Sequence, residues 1–285
     1  MQSFQSSDTT TKPTAPELSQ MQLQQSSSPK EMEQSDLSST RTAESFLRLA
    51  HHELQSPLTA IRVQAQLAET YLQRQNTAAV AAALTTIQEQ SVQMEHLLKD
   101  LLDAAKLQEG KLSIRPTTLD IVGLCRQMVT LQAQVTGRPI QFLKPMESLL
   151  VQVDGQRLRQ VLANLLANAC KYTALGQPIE VELVPTTTKG KNGDGHSWVT
   201  ICVRDGGLGI SVEELPRIFG LFYRSHQGVD ASGERSGLGL GLALCAEIVT
   251  VSGGWLWAES IPGGGGSTFF VRLPVLNPSI KVELE

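Results

Sequence analysis

The sequence predicts a multi-domain chain of class α plus α+β, a helical hairpin followed by an α/β sandwich. Three observations predict it. Two runs of apolar residues repeat with alternating spacings of four and three, the seam spacing of a coiled coil or helical bundle. Past Gly110 short β-like runs interleave with helical patterns, as in a sheet covered by helices. Of the 23 glycines, 15 lie after residue 203, crowded into the last third of the chain.

At 285 residues the chain is long enough for two domains and a sizeable core. Residues 1–40 hold 10 Ser, 7 Gln and 5 Thr with few large apolar side chains. Such a segment buries too little to offset its conformational entropy, so it is expected to be a disordered tail. The first seam run is Leu47, His51, Leu54, Leu58, Ile61, Ala65, Ala68 and Leu72. The second is Val80, Leu84, Ile87, Ser91, Met94, Leu98, Leu101 and Ala105, joined to the first at about Gln73–Thr77. These runs define a hairpin over 41–110. Two helices cannot bury wide apolar faces alone, so a homodimer making a four-helix bundle completes it.

The second domain is expected over 111–275, with a tail at 276–285. Its predicted strands are 140–143, 149–153, 179–184, 198–204, 256–260 and 268–273. Its predicted helices are 120–134, 155–172, 212–219 and 239–251. Asp120 and Ser211 are expected as N-caps, and Ser211 with Glu214 has capping-box spacing. The stretches 185–197 and 224–238 read as loops.

Charge and cysteine usage exclude several classes. A net charge of −4, from 24 Lys+Arg and 28 Asp+Glu, argues against a nucleic-acid arm or a polybasic membrane patch. No apolar run approaches the length of a membrane span, and the start lacks the pattern of a secretory signal. Cys125, Cys170, Cys202 and Cys245 lie too far apart for a zinc site or a CxxC pair, and point to reduced thiols in the cytoplasm.

Four clusters carry chemistry. In His51-His52-Glu53 the heptad arithmetic puts His51 on the seam and His52 one step off it, facing solvent. An exposed histidine can accept a transferred group, and a neighbouring carboxylate can take its proton. Asn164, Asn168 and Lys171 are at i, i+4 and i+7 and share one helical face. Amide oxygens suit Mg²⁺, and the ammonium suits a phosphate. Asp205, at a strand end, can accept from an exocyclic amine, while Gly206, Gly207 and Gly209 let backbone approach a flat ring. Gly237, Gly239 and Gly241 enter the last helix, where free N–H groups bind phosphate. Neither GxxxxGK[ST] nor a strand-following GxGxxG is present.

In this order the clusters resemble the sensor histidine kinases of two-component signalling. His52 to Leu58 (HELQSPL) resembles the H-box, usually HELRTPL. Asp154, Arg157, Gln160 and Asn164 to Thr173 resemble the N-box. Asp205 to Ile210 is similar to the D-box, Ile218-Phe219 with Phe222-Tyr223-Arg224 to the F-box, and Gly237 to Leu242 to the G-box. Gly253-Gly254 and Gly266 to Phe269 are similar to the final strands. The resemblance spans roughly 42–275. It implies a dimeric phosphoacceptor hairpin and an ATP-binding domain of the GHKL, or Bergerat, fold shared with gyrase, Hsp90 and MutL. By this resemblance His52 is the phosphoacceptor and Glu53 the proton acceptor. Asn168 binds Mg²⁺ with Asn164 supporting it, Lys171 and Arg224 contact phosphate, and Tyr172 packs near the nucleotide. Asp205 recognises adenine, Gly207 and Gly209 shape its pocket, and Gly237, Gly239 and Gly241 line the phosphates, with 224–238 as a lid. The phosphoryl group then passes to an aspartate of a response-regulator receiver domain, under an unidentified sensor input. Ser56 stands where the family often has Thr or Asn for dephosphorylating that partner, and its hydroxyl is the candidate for that role. Gln55 replaces the usual Arg.

Two other readings share the nucleotide fold. A GHKL-type ATPase would need a glutamate where Asn164 stands, because an amide cannot take a proton at neutral pH. A degenerate nucleotide-binding scaffold would bind without transfer.

Overall fold

Hydrophobic periodicity switches from helical to alternating at about residue 110, and the structure follows it. The computed structural model describes residues 29–144, 147–188, 196–225, 238–261, 263 and 265–276, with backbone alone for 29–47, 49, 188 and 196. Of the described residues, Pro29–Arg48 belong to one compact unit and those from Leu49 onward to another. The first holds the start of helix α1, and the second holds everything that follows it.

Helix α1 runs Pro29–Gln73 and passes through Pro57 without interruption. It starts earlier than expected, so residues 29–40, expected as part of the tail, are helical. Pro29 stands at the first helical position, where its missing N–H costs nothing. Residues 1–28 lie outside the described residues. Three residues separate α1 from α2 (Thr77–Gln108), and Asn76 caps the second helix by accepting from Ala79 N at 3.1 Å. The seam positions Leu58, Leu72, Leu84 and Leu98 remain 56, 66, 51 and 47% exposed. Val63, Leu67, Val92 and Leu102 are exposed as well, so the apolar band is wider than the seam.

The second domain is a two-layer sandwich. A mixed sheet has the order β2-β4-β5-β7-β6, from β2 (Gln141–Leu143), β4 (Ile179–Thr188), β5 (His196–Asp205), β6 (Trp255–Ser260) and β7 (Ser267–Pro274). Only β2 pairs in parallel, with β4. Alternation turns Val181, Leu183, Val199, Ile201, Val203, Phe269, Val271 and Leu273 inward. There they meet α3 (Ile121–Thr136), α4 (Gly155–Tyr172) and α5 (Gly241–Val251). The opposite face carries all three tryptophans of the chain. Trp198 and Trp255 lie 4.8 Å apart with the Arg272 guanidinium over both rings, and Trp257 stacks on Phe270. A two-stranded sheet of β1 (Thr117–Asp120) and β3 (Leu150–Val153) adjoins.

Several expectations need correction. Strand β1 was not expected, since TTLD shows no alternation. Residues 185–188 and 196–197, expected in a loop, extend the paired strands β4 and β5; 189–195 lie outside the described residues. The stretch 212–219 is a run of turns and not a helix, because Pro216 at its centre has no N–H to donate. Ser211 does not cap backbone there; its hydroxyl donates to the Glu214 carboxylate at 3.3 Å. Helix α5 begins at Gly241, two residues later than expected. Residues 226–237, most of the expected lid, and 277–285 of the expected tail lie outside the described residues.

Asp120 caps α3 as expected, and Asp154 caps α4. Asp154 Oδ1 accepts from Gln156 N and Arg157 N at 3.0 and 3.1 Å, and Oδ2 from Arg115 N at 2.9 Å. Burial opposes its charge, but these three N–H groups outweigh it and hold the carboxyl below the usual range. The stability it contributes is therefore full at neutral pH and lost as pH falls through that lowered value. Asp154→Ala is expected to cost about 1–2 kcal/mol. Thermal unfolding at neutral pH should show a midpoint lower by several degrees, and an unchanged midpoint would remove this capping assignment.

Candidate functional site

One cavity lies between the polar face of α4, the end of β5 and the entry to α5. Its volume is about 280 Å³. Apolar residues of α4, including Leu158, Leu162, Leu165 and Leu166, fix the helix against the sheet, which turns Asn164, Asn168 and Lys171 toward the cavity. Lys171 Nζ also lies 5.1 Å from the ring centre of Tyr172, which lines the same cavity. The C-terminal end of this helix is held by Arg138, whose guanidinium donates to the carbonyls of Cys170, Thr173 (2.8 Å) and Ala174 (2.8 Å). A cation there satisfies orphan carbonyls and complements the helix dipole.

Asp205 reaches the cavity from the end of β5 and is 7% exposed. Burial raises its carboxyl above the usual range, although N–H groups of Gly207 (2.9 Å from Oδ1) and Ser267 partly offset this. Glycine is required beside it, because a Cβ on Gly207 would stand 2.6 Å from the carbonyl oxygen of Tyr172. Gly207 itself is not part of the cavity wall, whereas Gly209, Gly239 and Gly241 are. Gly239 has φ +67°, a region glycine enters without cost. A Cβ on Gly241 would stand 2.6 Å from Asn164 Oδ1, so the bare backbone makes room for that amide. Gly237 lies outside the described residues.

The cavity thus gathers Asn164, Asn168, Lys171, Tyr172, Asp205, Gly209, Arg224, Gly239 and Gly241, nine of the residues singled out in the sequence. It also holds Ser225, Leu97 and Asp100, which were not. Tyr223 and Ser225 flank Arg224, and both donate to Oε1 of buried Glu214, at 3.2 and 2.8 Å. Leu97 and Asp100 come from α2. Burial, with Asp103 nearby, raises the Asp100 carboxyl. The only sequence signal for them was Asp100 and Asp103 interrupting an apolar run three residues apart.

Asp103 is buried, and its Oδ2 accepts from Arg157 and from Gln160 Nε2 (3.2 Å). Burial opposes its charge, but these donors and the guanidinium outweigh it and hold its carboxyl low. His52 and Ser56 share a groove with Gln55, Thr59, Ala60 and Val63. Both His51 and His52 are exposed. Glu53 pairs through Oε1 with Arg224 Nη1 at 3.5 Å.

The donors fit a divalent cation of the hard type: two amide oxygens one turn apart, facing a cavity shared with a lysine. Among the described residues no cluster of three His, Cys, Asp or Glu side chains could hold a metal. No helix there is long and apolar enough to cross a membrane. All four cysteines are free, and burial pushes the Cys125 and Cys245 thiols up to about 12.

Comparison with known proteins assigns both halves. Residues 42–110 match the His Kinase A (phospho-acceptor) domain. Residues 153–277 match the histidine kinase-, DNA gyrase B- and HSP90-like ATPase family. The adaptive-response sensory kinase SasA of Thermosynechococcus vestitus is 34% identical over 238 residues, 81% of this chain and 59% of that one. The sensor protein kinase WalK of Staphylococcus haemolyticus is 28% identical over 238 residues, 82% of this chain and 37% of that one. The chain therefore spans less than two thirds of these relatives' length. The structure of full-length ShkA in complex with AMPPNP shares the fold, with a TM-score of 0.53, 24% identity, and coverage of 83% of this chain and 47% of that one. A phosphoacceptor hairpin followed by this ATPase fold, with five ordered motifs across them, places the chain in the family of two-component sensor histidine kinases.

Proposed function

We propose that the chain is a protein-histidine kinase that transfers the γ-phosphoryl group of ATP to His52, and then to an aspartate of a response-regulator receiver domain. The observation that carries it is the meeting of four sequence clusters: three build one cavity, and Arg224 on its wall pairs with the neighbour of His52. The hairpin over 41–110 serves as dimerisation and acceptor domain, and 111–275 as the ATP-binding domain.

Each residue has a task. Asp205 accepts from the adenine amine, and its burial excludes competing water. Lys171 and Arg224 neutralise phosphate charge, and Leu240, Gly241 and Leu242 at the start of α5 line the same cavity. Asn168 and Asn164 would hold Mg²⁺, which supplies further charge neutralisation when bound. Glu53 takes the proton that His52 releases. Ser56, in one groove with His52, would orient water for dephosphorylating the regulator.

The exposed Leu58, Leu72, Leu84 and Leu98 support a homodimer, since so much apolar surface on one hairpin calls for a second copy. The regulator would dock on the hairpin around His52. Four free thiols and the lack of a spanning helix among the described residues support action in the cytoplasm.

The test is incubation of the full chain with γ-labelled ATP and Mg²⁺. The expected result is label on protein that is acid-labile and alkali-stable. Free phosphate without protein label would favour the ATPase reading, and neither product would favour a binding scaffold.

A further inference from the structure

We propose that Glu214 is a positioning residue for phosphate binding: it fixes the short segment that carries Arg224, and so sets where that guanidinium stands on the cavity wall. The inference rests on the ATP-binding reading given above. Glu213 and Glu214 lie side by side in a run of turns, and only the second is buried, at 8% exposure. A buried carboxylate is costly unless donors reach it. Ser211 Oγ donates to Oε2 at 3.3 Å, and Tyr223 and Ser225 donate to Oε1 at 3.2 and 2.8 Å. The last two bracket Arg224, and all three of Tyr223, Arg224 and Ser225 line the cavity.

The same segment is gripped at its start. Phe222 N donates to Gly239 O at 3.0 Å, and a Cβ on Gly239 would stand 2.7 Å from Tyr223 O. Phe222 has φ +65°, a conformation that a bulky residue keeps only when its surroundings impose it. Glu214 is itself on a firm base, since Arg217 N and Ile218 N donate to its carbonyl at 2.8 and 3.1 Å. The backbone from Phe222 to Ser225 is thus held by Gly239 at one end and by one carboxylate at the other. An arginine has many rotamers to lose on binding, and a fixed root lowers the cost of ordering it on a phosphate.

The test uses the full chain and two ligands, ATP and adenosine, the latter followed by NMR titration. Adenosine lacks phosphates and reports on the Asp205 end of the cavity. Removing a carboxylate beside an anion site would by charge alone tighten ATP binding, so a loss reads geometry and not field. Glu214→Ala should weaken ATP by about tenfold, the size of one charge-assisted contact, and leave adenosine within about twofold of wild type. Glu214→Gln removes the charge and keeps an acceptor oxygen for Tyr223 and Ser225, so it should hold ATP at least as tightly as wild type. On an Arg224→Ala background, Glu214→Ala should add less than about twofold, because the two changes remove one contact. Equal losses of ATP and adenosine would reduce Glu214 to a structural role and overturn the proposal. So would unchanged ATP affinity in Glu214→Ala, a Glu214→Gln chain as weak as Glu214→Ala, or losses that multiply in the double variant. A wild type that binds neither ligand overturns the ATP-site reading and the proposal with it. Binding without protein label sinks the kinase reading alone.

Discussion

His52→Gln is expected to reduce acid-labile protein label to background, while His51→Gln keeps at least about a tenth of it, a loss under about 1.4 kcal/mol. The two histidines are adjacent and both exposed in the single chain, so exposure does not separate them. Their neighbours do. His52 opens on the groove that Ser56 shares, and Glu53 beyond it is paired with a residue of the nucleotide cavity. His51 stands on the row of Leu54 and Leu58, of which Leu58 is exposed, and this row faces the proposed second copy. A substitution there is expected to disturb association, and one at His52 to remove the proposed nucleophile. Retained label after His52→Gln, with loss after His51→Gln, would reverse the assignment.

The second large effect concerns Asp205. Asp205→Asn keeps size and removes charge, and a hydrogen bond to a charged acceptor contributes about 1.5–3 kcal/mol. ATP affinity, measured by calorimetric titration, should therefore weaken by about ten- to a hundredfold or somewhat more. The pH dependence has a sign of its own. Burial raises this carboxyl, so its charged form, the one proposed to accept from adenine, is lost on acidification at a higher pH than the ordinary value of about 3.9. Affinity should fall as pH drops through that raised value, and the variant should not show this fall. Stability of the free chain moves the other way. A carboxyl raised on folding adds stability below its unfolded value and loses it as pH rises through the folded one. Identical pH profiles of affinity in both proteins would remove Asp205 from recognition.

The parts of the site legible in the sequence are those whose meaning is local. Asn164, Asn168 and Lys171 declare one face by helical spacing alone, and α4 is bounded by Asp154 and Tyr172 as its pattern implied. Gly239 and Gly241 are legible because few other residues enter such close turns. What could not be read lies in contacts between distant positions. Arg138 grips carbonyls more than thirty residues away, and Asp103 meets Arg157 across 54 positions. No local spacing encodes either. Strand β1 failed for another reason: four residues without alternation become a strand only because β3 offers a partner. At 212–219 a helical pattern was present, but Pro216 removed the hydrogen bond that would have propagated it. The apolar surplus on the hairpin was anticipated in its seam and underestimated in its breadth, since Val63, Leu67, Val92 and Leu102 fall outside the heptad positions.

The clustering of every tryptophan on the face of the sheet turned away from the helices has a practical consequence. The chain's tryptophan emission originates from one patch, where Trp198, Trp255 and Arg272 interact and Trp257 lies on Phe270. The proposed nucleotide cavity opens on the other side of the same strands, through Ser267 and Phe269. The molecule therefore carries a fluorescent gauge of sheet integrity that is separated from ligand occupancy. Its tryptophan signal reports whether the domain is folded, and nucleotide loading has to be followed with a probe placed elsewhere.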